Sequence, residues 1–62
     1  DIHQQDDKGF DLLRWAVECN CPLLVRKIMS RGGNPKMVDK NGRNTIKASK
    51  LSYSEEIQKI FD

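Results

Sequence analysis

Few side chains in this 62-residue chain could do chemistry. Cys19 and Cys21 stand two apart, and His3 is the single histidine. Asp6-Asp7-Lys8-Gly9 and Asp39-Lys40-Asn41-Gly42 share the pattern Asp-x-x-Gly. A disulfide between thiols this close is strained, and two thiols without a nearby His cannot complete a zinc site. They read as ordinary reduced thiols, which fits an intracellular setting, cytoplasmic or nuclear; redox sensing or a bond to a partner is the alternative. Asp6 and Asp39 could be taken for paired acid–base carboxylates. An Asp just ahead of a turn glycine more commonly shapes the turn, accepting backbone N–H groups on its side chain. No Gly-rich phosphate loop, no His–carboxylate pair beside a nucleophile and no metal-ligand spacing is present. The chain is expected not to be an enzyme and to need no cofactor or metal.

Charge is more informative. The net value is only +2, but residues 36–50 hold five bases (Lys36, Lys40, Arg43, Lys47, Lys50) against one acid, Asp39, a local +4. Residues 1–7 hold three acids and no base, and residues 55–62 hold three acids against Lys59. Such asymmetry steers partners of opposite sign. No apolar run approaches the roughly 20 residues that cross a bilayer, so no transmembrane segment is expected. Without an initiator Met the chain is expected to be a piece of something longer, so absence of a targeting signal carries no information.

Helices must position these groups. Leu12, Leu13, Ala16 and Val17 are apolar at helical spacing, which predicts a first helix from about Leu12 to Cys19. Asp11 is placed to cap it and to pair with Arg14 three residues on. Trp15 follows the apolar face and is expected in the core. Pro22 suits a first helical position and predicts a second helix to about Ser30, with Leu24, Val25, Ile28 and Met29 as its buried stripe; Gly32-Gly33 ends it. Asn34-Pro35 and Asn41-Gly42 are turn dipeptides. Asn44 is placed to cap a third helix to about Leu51, and Ser54 a fourth from Glu55 to Phe61, with Ile57, Ile60 and Phe61 on its apolar face.

The two Asp-x-x-Gly motifs are 33 residues apart, and the register continues. Four residues behind each Gly stands Leu13 or Ile46, then Arg14 or Lys47, then Ala16 or Ser49; ahead, Asp1-Ile2-His3 falls opposite Asn34-Pro35-Lys36. A fixed period of this size marks a stacked repeat array. With Arg31-Gly32-Gly33-Asn34-Pro35 ahead of the second motif, the chain resembles the ankyrin repeat family. In place of the family's Thr-Pro-Leu-His stand Asp11-Leu12-Leu13-Arg14 and Asn44-Thr45-Ile46-Lys47, and its mid-repeat Gly-His is Asn20-Cys21 and Tyr53-Ser54. The resemblance implies a mainly α solenoid of paired antiparallel helices joined by β-hairpin-like finger loops. Residues 1–5 would be the tail of a preceding repeat, 6–38 a complete repeat and 39–62 a second, partial one. Each repeat leaves apolar surface for its neighbours, so the chain is expected to need flanking repeats or a partner for stability.

In function the resemblance implies a non-catalytic protein–protein interaction module, docking a segment of a partner protein on a concave surface; the local +4 around the second finger points to an acidic or mixed acidic–apolar segment. The implied contact positions are Asp7, Lys8 and Phe10 on one finger, Val38, Lys40, Asn41 and Arg43 on the other, and Glu18, Cys19, Leu51 and Ser52 on the inner helices. Phe10 is the candidate anchor, with packing on the adjacent finger or a preceding repeat as its alternative; Arg43 is the candidate fork to a carboxylate. Lys47, Lys50, Arg26 and Lys27 are expected in water. Two other readings stay open. One is an anionic contact, nucleic acid or lipid headgroup, through residues 36–50, where no aromatic is interleaved. The other is a purely structural repeat inside a larger protein.

Overall fold

The computed structural model describes residues 2–61; Asp1 of the leading tail and Asp62 of the second unit lie outside the described residues. The order is α1 (Leu12–Glu18), α2 (Pro22–Ser30), α3 (Thr45–Lys50) and α4 (Glu55–Ile60), which makes the chain mainly α. Three of the four starts are set by a side chain. Asp11 accepts the Arg14 N–H at 2.9 Å, Asn44 the Lys47 N–H at 2.9 Å and Ser54 the Ile57 N–H at 3.3 Å. Each satisfies a donor that the first helical turn leaves free. α2 opens on Pro22 without a side-chain cap, a position where the missing proline N–H has no consequence.

Helix ends are as specific as the starts. After α1, Asn20 takes φ +61°, and the Asn20 and Cys21 N–H groups return to the Val17 and Ala16 carbonyls. After α2, Gly32 takes φ +91°, and the Gly32 and Gly33 N–H groups return to Met29 and Ile28. This paired closure needs one left-handed residue, which Gly adopts freely and Asn tolerates. α1, α3 and α4 stop one residue short of expectation because Cys19, Leu51 and Phe61 are the caps themselves.

One core joins the two units: Leu13, Ala16, Val17, Val25 and Ile28 from the first, Ala48 and Ile57 from the second. Ile2, Met29, Ile60 and Phe61 pack at its margin. Three apolar expectations need correction. Trp15 is not a core residue; it, Leu12 and Leu24 are 38%, 47% and 40% exposed. α1 packs on α2 and α3, and α2 on α4; Leu12, Trp15 and Leu24 are not part of the core these helices share.

The fingers are tight turns, with no extended strand among the described residues. The second turn is bracketed by a single antiparallel bridge between Val38 and Asn44. The two turns touch backbone to backbone: the Lys40 N–H donates to the Lys8 carbonyl at 3.2 Å. A Cβ on Gly9 would come within 2.8 Å of the Asp39 Cα and the Lys40 N, whereas one on Gly42 would meet nothing within 4 Å. Both glycines have positive φ, +80° and +77°. In urea unfolding, Gly42→Ala is therefore expected to lose about 1–2 kcal/mol, the left-handed penalty alone. Gly9→Ala is expected to lose clearly more. Equal losses would mean that the turns do not touch in solution.

Candidate functional site

The two turns are one device built twice. Asp6 Oδ1 accepts the Lys8 and Phe10 N–H groups, both at 2.9 Å; Asp39 Oδ1 accepts those of Asn41 and Arg43 at 2.8 and 3.0 Å. Each turn is closed by a glycine N–H returning to the Asp carbonyl, at 2.9 and 3.0 Å. The carboxylates that resembled an acid–base pair are thus occupied as turn formers. Their second oxygens differ. Asp6 Oδ2 accepts the Trp15 indole N–H at 2.6 Å, within its own unit. Asp39 Oδ2 accepts the Arg14 guanidinium at 2.9 Å, from the unit before.

Arg14 is the residue whose role sequence reasoning missed. Its expected side-chain pairing with Asp11 is replaced by one with Asp39, and from Arg14 the Asp11 carboxylate takes only the backbone N–H, on Oδ1. Arg14 is 5% exposed. Its guanidinium also reaches Glu18 at 3.2 Å and the Arg43 carbonyl at 3.4 Å, and lies 4.1 Å from the centre of the Phe10 ring. A buried cation needs this many partners to offset lost hydration. The Arg43 N–H, with help from Arg14 and the Asn41 N–H, holds the Asp39 carboxyl below the ordinary aspartate value against the opposing effect of burial. The Phe10 N–H, then the Trp15 indole and the Lys8 N–H and charge, do the same for Asp6, again against burial.

Beside this clamp, a cleft of about 240 Å³ runs between the two units. Val17 and Ala48, both buried, lie in its floor; Glu18 and Asn20 line one side, Arg43, Leu51, Ser52 and Tyr53 the other. Four expected contact residues (Glu18, Arg43, Leu51, Ser52) are brought together here. The Ser52 hydroxyl donates to Asn20 Oδ1 at 3.2 Å and ties the sides together. Tyr53, which sequence reasoning passed over, is fully exposed, and Leu51 is 67% exposed. The available signal for Tyr53 was an aromatic ring at a position where the repeat pattern calls for Gly.

The other expected contact residues lie elsewhere. Phe10 is half-buried, edge-on to Trp15 with ring centres 5.2 Å apart and stacked under Arg14, so it is not a free tip anchor. The Lys8 ammonium sits 5.6 Å from the centre of the Trp15 ring system. Val38 is exposed, and its carbonyl accepts the Gln5 amide at 2.8 Å. Asp7, Lys40 and Asn41 are exposed on the turns, and Cys19 is exposed at the end of α1. Both thiols are free, and the described residues hold no cluster of three or more His, Cys, Asp or Glu suited to a metal ion. No described helix is long and apolar enough to cross a membrane. The chain matches no family model, no curated protein and no solved structure.

The two lowered carboxyls set a pH dependence. Their stabilising contribution is complete above about pH 5 and is lost as pH falls past about 3.9, where the unfolded chain takes up protons that the folded one resists. The thermal midpoint is expected to drop on the acid side, and an Asp6→Asn, Asp39→Asn double variant is expected to flatten that drop. Parallel acid limbs for the two proteins, followed by circular dichroism, would show that other groups control it.

Proposed function

We propose that this chain is a non-catalytic protein-interaction module, a pair of ankyrin-type repeats that docks a segment of a partner protein in the cleft between α1 and α3. The observation that carries this reading is the rim of the cleft. There the exposed Leu51 and Tyr53 side chains stand beside Arg43 and Glu18, over a floor fixed by buried contacts. Aromatic and Arg side chains dominate binding energetics where they are held beside apolar surface. Arg43 offers a forked donor to a carboxylate, and Leu51 and Tyr53 offer apolar contact to its neighbours. The favoured partner is therefore an acidic segment with interspersed apolar residues. The 33-residue register, the duplicated turns and the helix pairs support the repeat reading.

An anionic-surface reading draws on one observation: Lys36, Lys40, Arg43, Lys47 and Lys50 are all exposed. Selection of displayed random peptides on the immobilised chain separates the two. Enriched peptides are expected to combine Asp or Glu with aliphatic or aromatic residues. Arg43→Glu or Tyr53→Ala is expected to weaken them about tenfold, ~1.4 kcal/mol, while Lys27→Glu on α2 leaves them unchanged. No enrichment, or binding indifferent to the cleft variants, would sink the proposal. Binding of a nucleic acid or of anionic vesicles that falls steeply with salt and ignores Tyr53→Ala would favour the phosphate contact instead.

A further inference from the structure

Equivalent positions in the two units meet opposite fates. Thr45, Ala48 and Ile57 are 1%, 7% and 0% exposed, in helices that pack on α1 and α2. Leu12, Trp15 and Leu24 occupy the same positions 33 residues earlier, match or exceed them in apolar bulk, and stand open. Leu23 is 76% exposed. Its equivalent, Glu56, meets Arg26 across the boundary between the units at 3.7 Å, so position 23 looks out from the same side. The opposite end of the molecule has another character. Arg14 and Val17, which meet the second unit, are succeeded at the equivalent positions by the exposed Lys47 and Lys50. One end is apolar and the other is cationic.

Polar groups at the apolar end follow the same pattern. Asp39 Oδ2 takes a guanidinium from the preceding unit, while Asp6 Oδ2, the equivalent atom, takes an indole N–H from its own. A carboxylate oxygen accepts more than one hydrogen bond. In the same hollow, Asp11 Oδ2 is buried without a hydrogen-bond partner, and an unmatched buried acceptor is unfavourable. The Asp7 N–H stands where the Lys40 N–H bonds the neighbouring turn.

We propose that Leu12, Trp15, Leu23 and Leu24, with Asp6 at their edge, form a stacking face for one further two-helix unit of the same kind, placed ahead of the first. That unit would lay an aliphatic side of its inner helix over Leu12 and Trp15, and offer a guanidinium to Asp6 as Arg14 does to Asp39. The occupant is defined by the chain's own repeat: it presents what Arg14, Val17 and Arg26 present to the second unit. This face is separate from the proposed cleft; the inference rests on the repeat reading above and not on peptide docking in the cleft.

The test is a tandem chain, residues 1–38 followed by 6–62, with Trp15→Phe in the added copy so that one indole reports on the covered face. A second tandem adds Val17→Ala in the added copy, giving the indole room where Ala48 now sits. In at least one tandem, acrylamide quenching of Trp15 is expected to fall several-fold below that of the 62-residue chain. Its emission should shift to the blue and its thermal midpoint rise, with part of that rise lost on Arg14→Ala in the added copy. An indole equally accessible in both tandems and in the parent chain would overturn the proposal. So would sedimentation showing that the parent chain dimerises through this face and that Leu24→Glu abolishes the dimer, since the occupant would then be a second copy.

Discussion

Both oxygens of one carboxylate are committed in this molecule, and the arrangement of the two units depends on it. Asp39 Oδ1 gathers the Asn41 and Arg43 N–H groups and so folds its own turn. Asp39 Oδ2 takes Arg14, 25 residues earlier, and so fixes that turn against α1. The two side chains are 2% and 6% exposed. A charge pair buried this deeply adds little net stability over an apolar pair of the same shape, but losing either partner leaves the other stranded. Its contribution is to relative position. With Arg14 also bonded to Glu18 and the Arg43 carbonyl, one guanidinium ties the two sides of the cleft together.

This arrangement suits a molecule with little core to spare. A chain of this size buries only about 60% of the surface its unfolded form exposes. Among the described residues the buried apolar core has five residues from the first unit and two, Ala48 and Ile57, from the second, so the second unit depends on the first for its interior. Polar ties along the boundary, from the turns to Ser52 and Asn20, hold the units in one register and keep the cleft open. A surface that must recognise a partner segment benefits from such rigidity, because less ordering is left for the binding step.

Local chemistry was legible in the sequence, and long-range pairing was not. Asp11, Asn44 and Ser54 announced their helices because capping involves residues three apart. Asp6 and Asp39 announced their turns because an Asp-x-x-Gly turn is complete within five residues. The mainly α architecture followed from these signals and from apolar spacing. Trp15, Leu12 and Leu24 were misplaced for one reason: spacing says which side of a helix is apolar, not which part of that side a neighbour covers. Arg14 was read against Asp11, its nearest acid, because nothing local points to an acid 25 residues away. In the site, Glu18, Arg43, Leu51 and Ser52 came from the family resemblance, carried over position by position, whereas the stacking of Phe10 between Trp15 and Arg14 is a tertiary event.

The most direct test of the Asp39–Arg14 clamp is a double-substitution cycle with Arg14→Met and Asp39→Asn, read by urea unfolding. If the two groups act as one unit, each single change strands a buried partner, and the double variant is scarcely less stable than the weaker single one. Losses that simply add would contradict this, and would mean that the turn and α1 are held together by the apolar core alone.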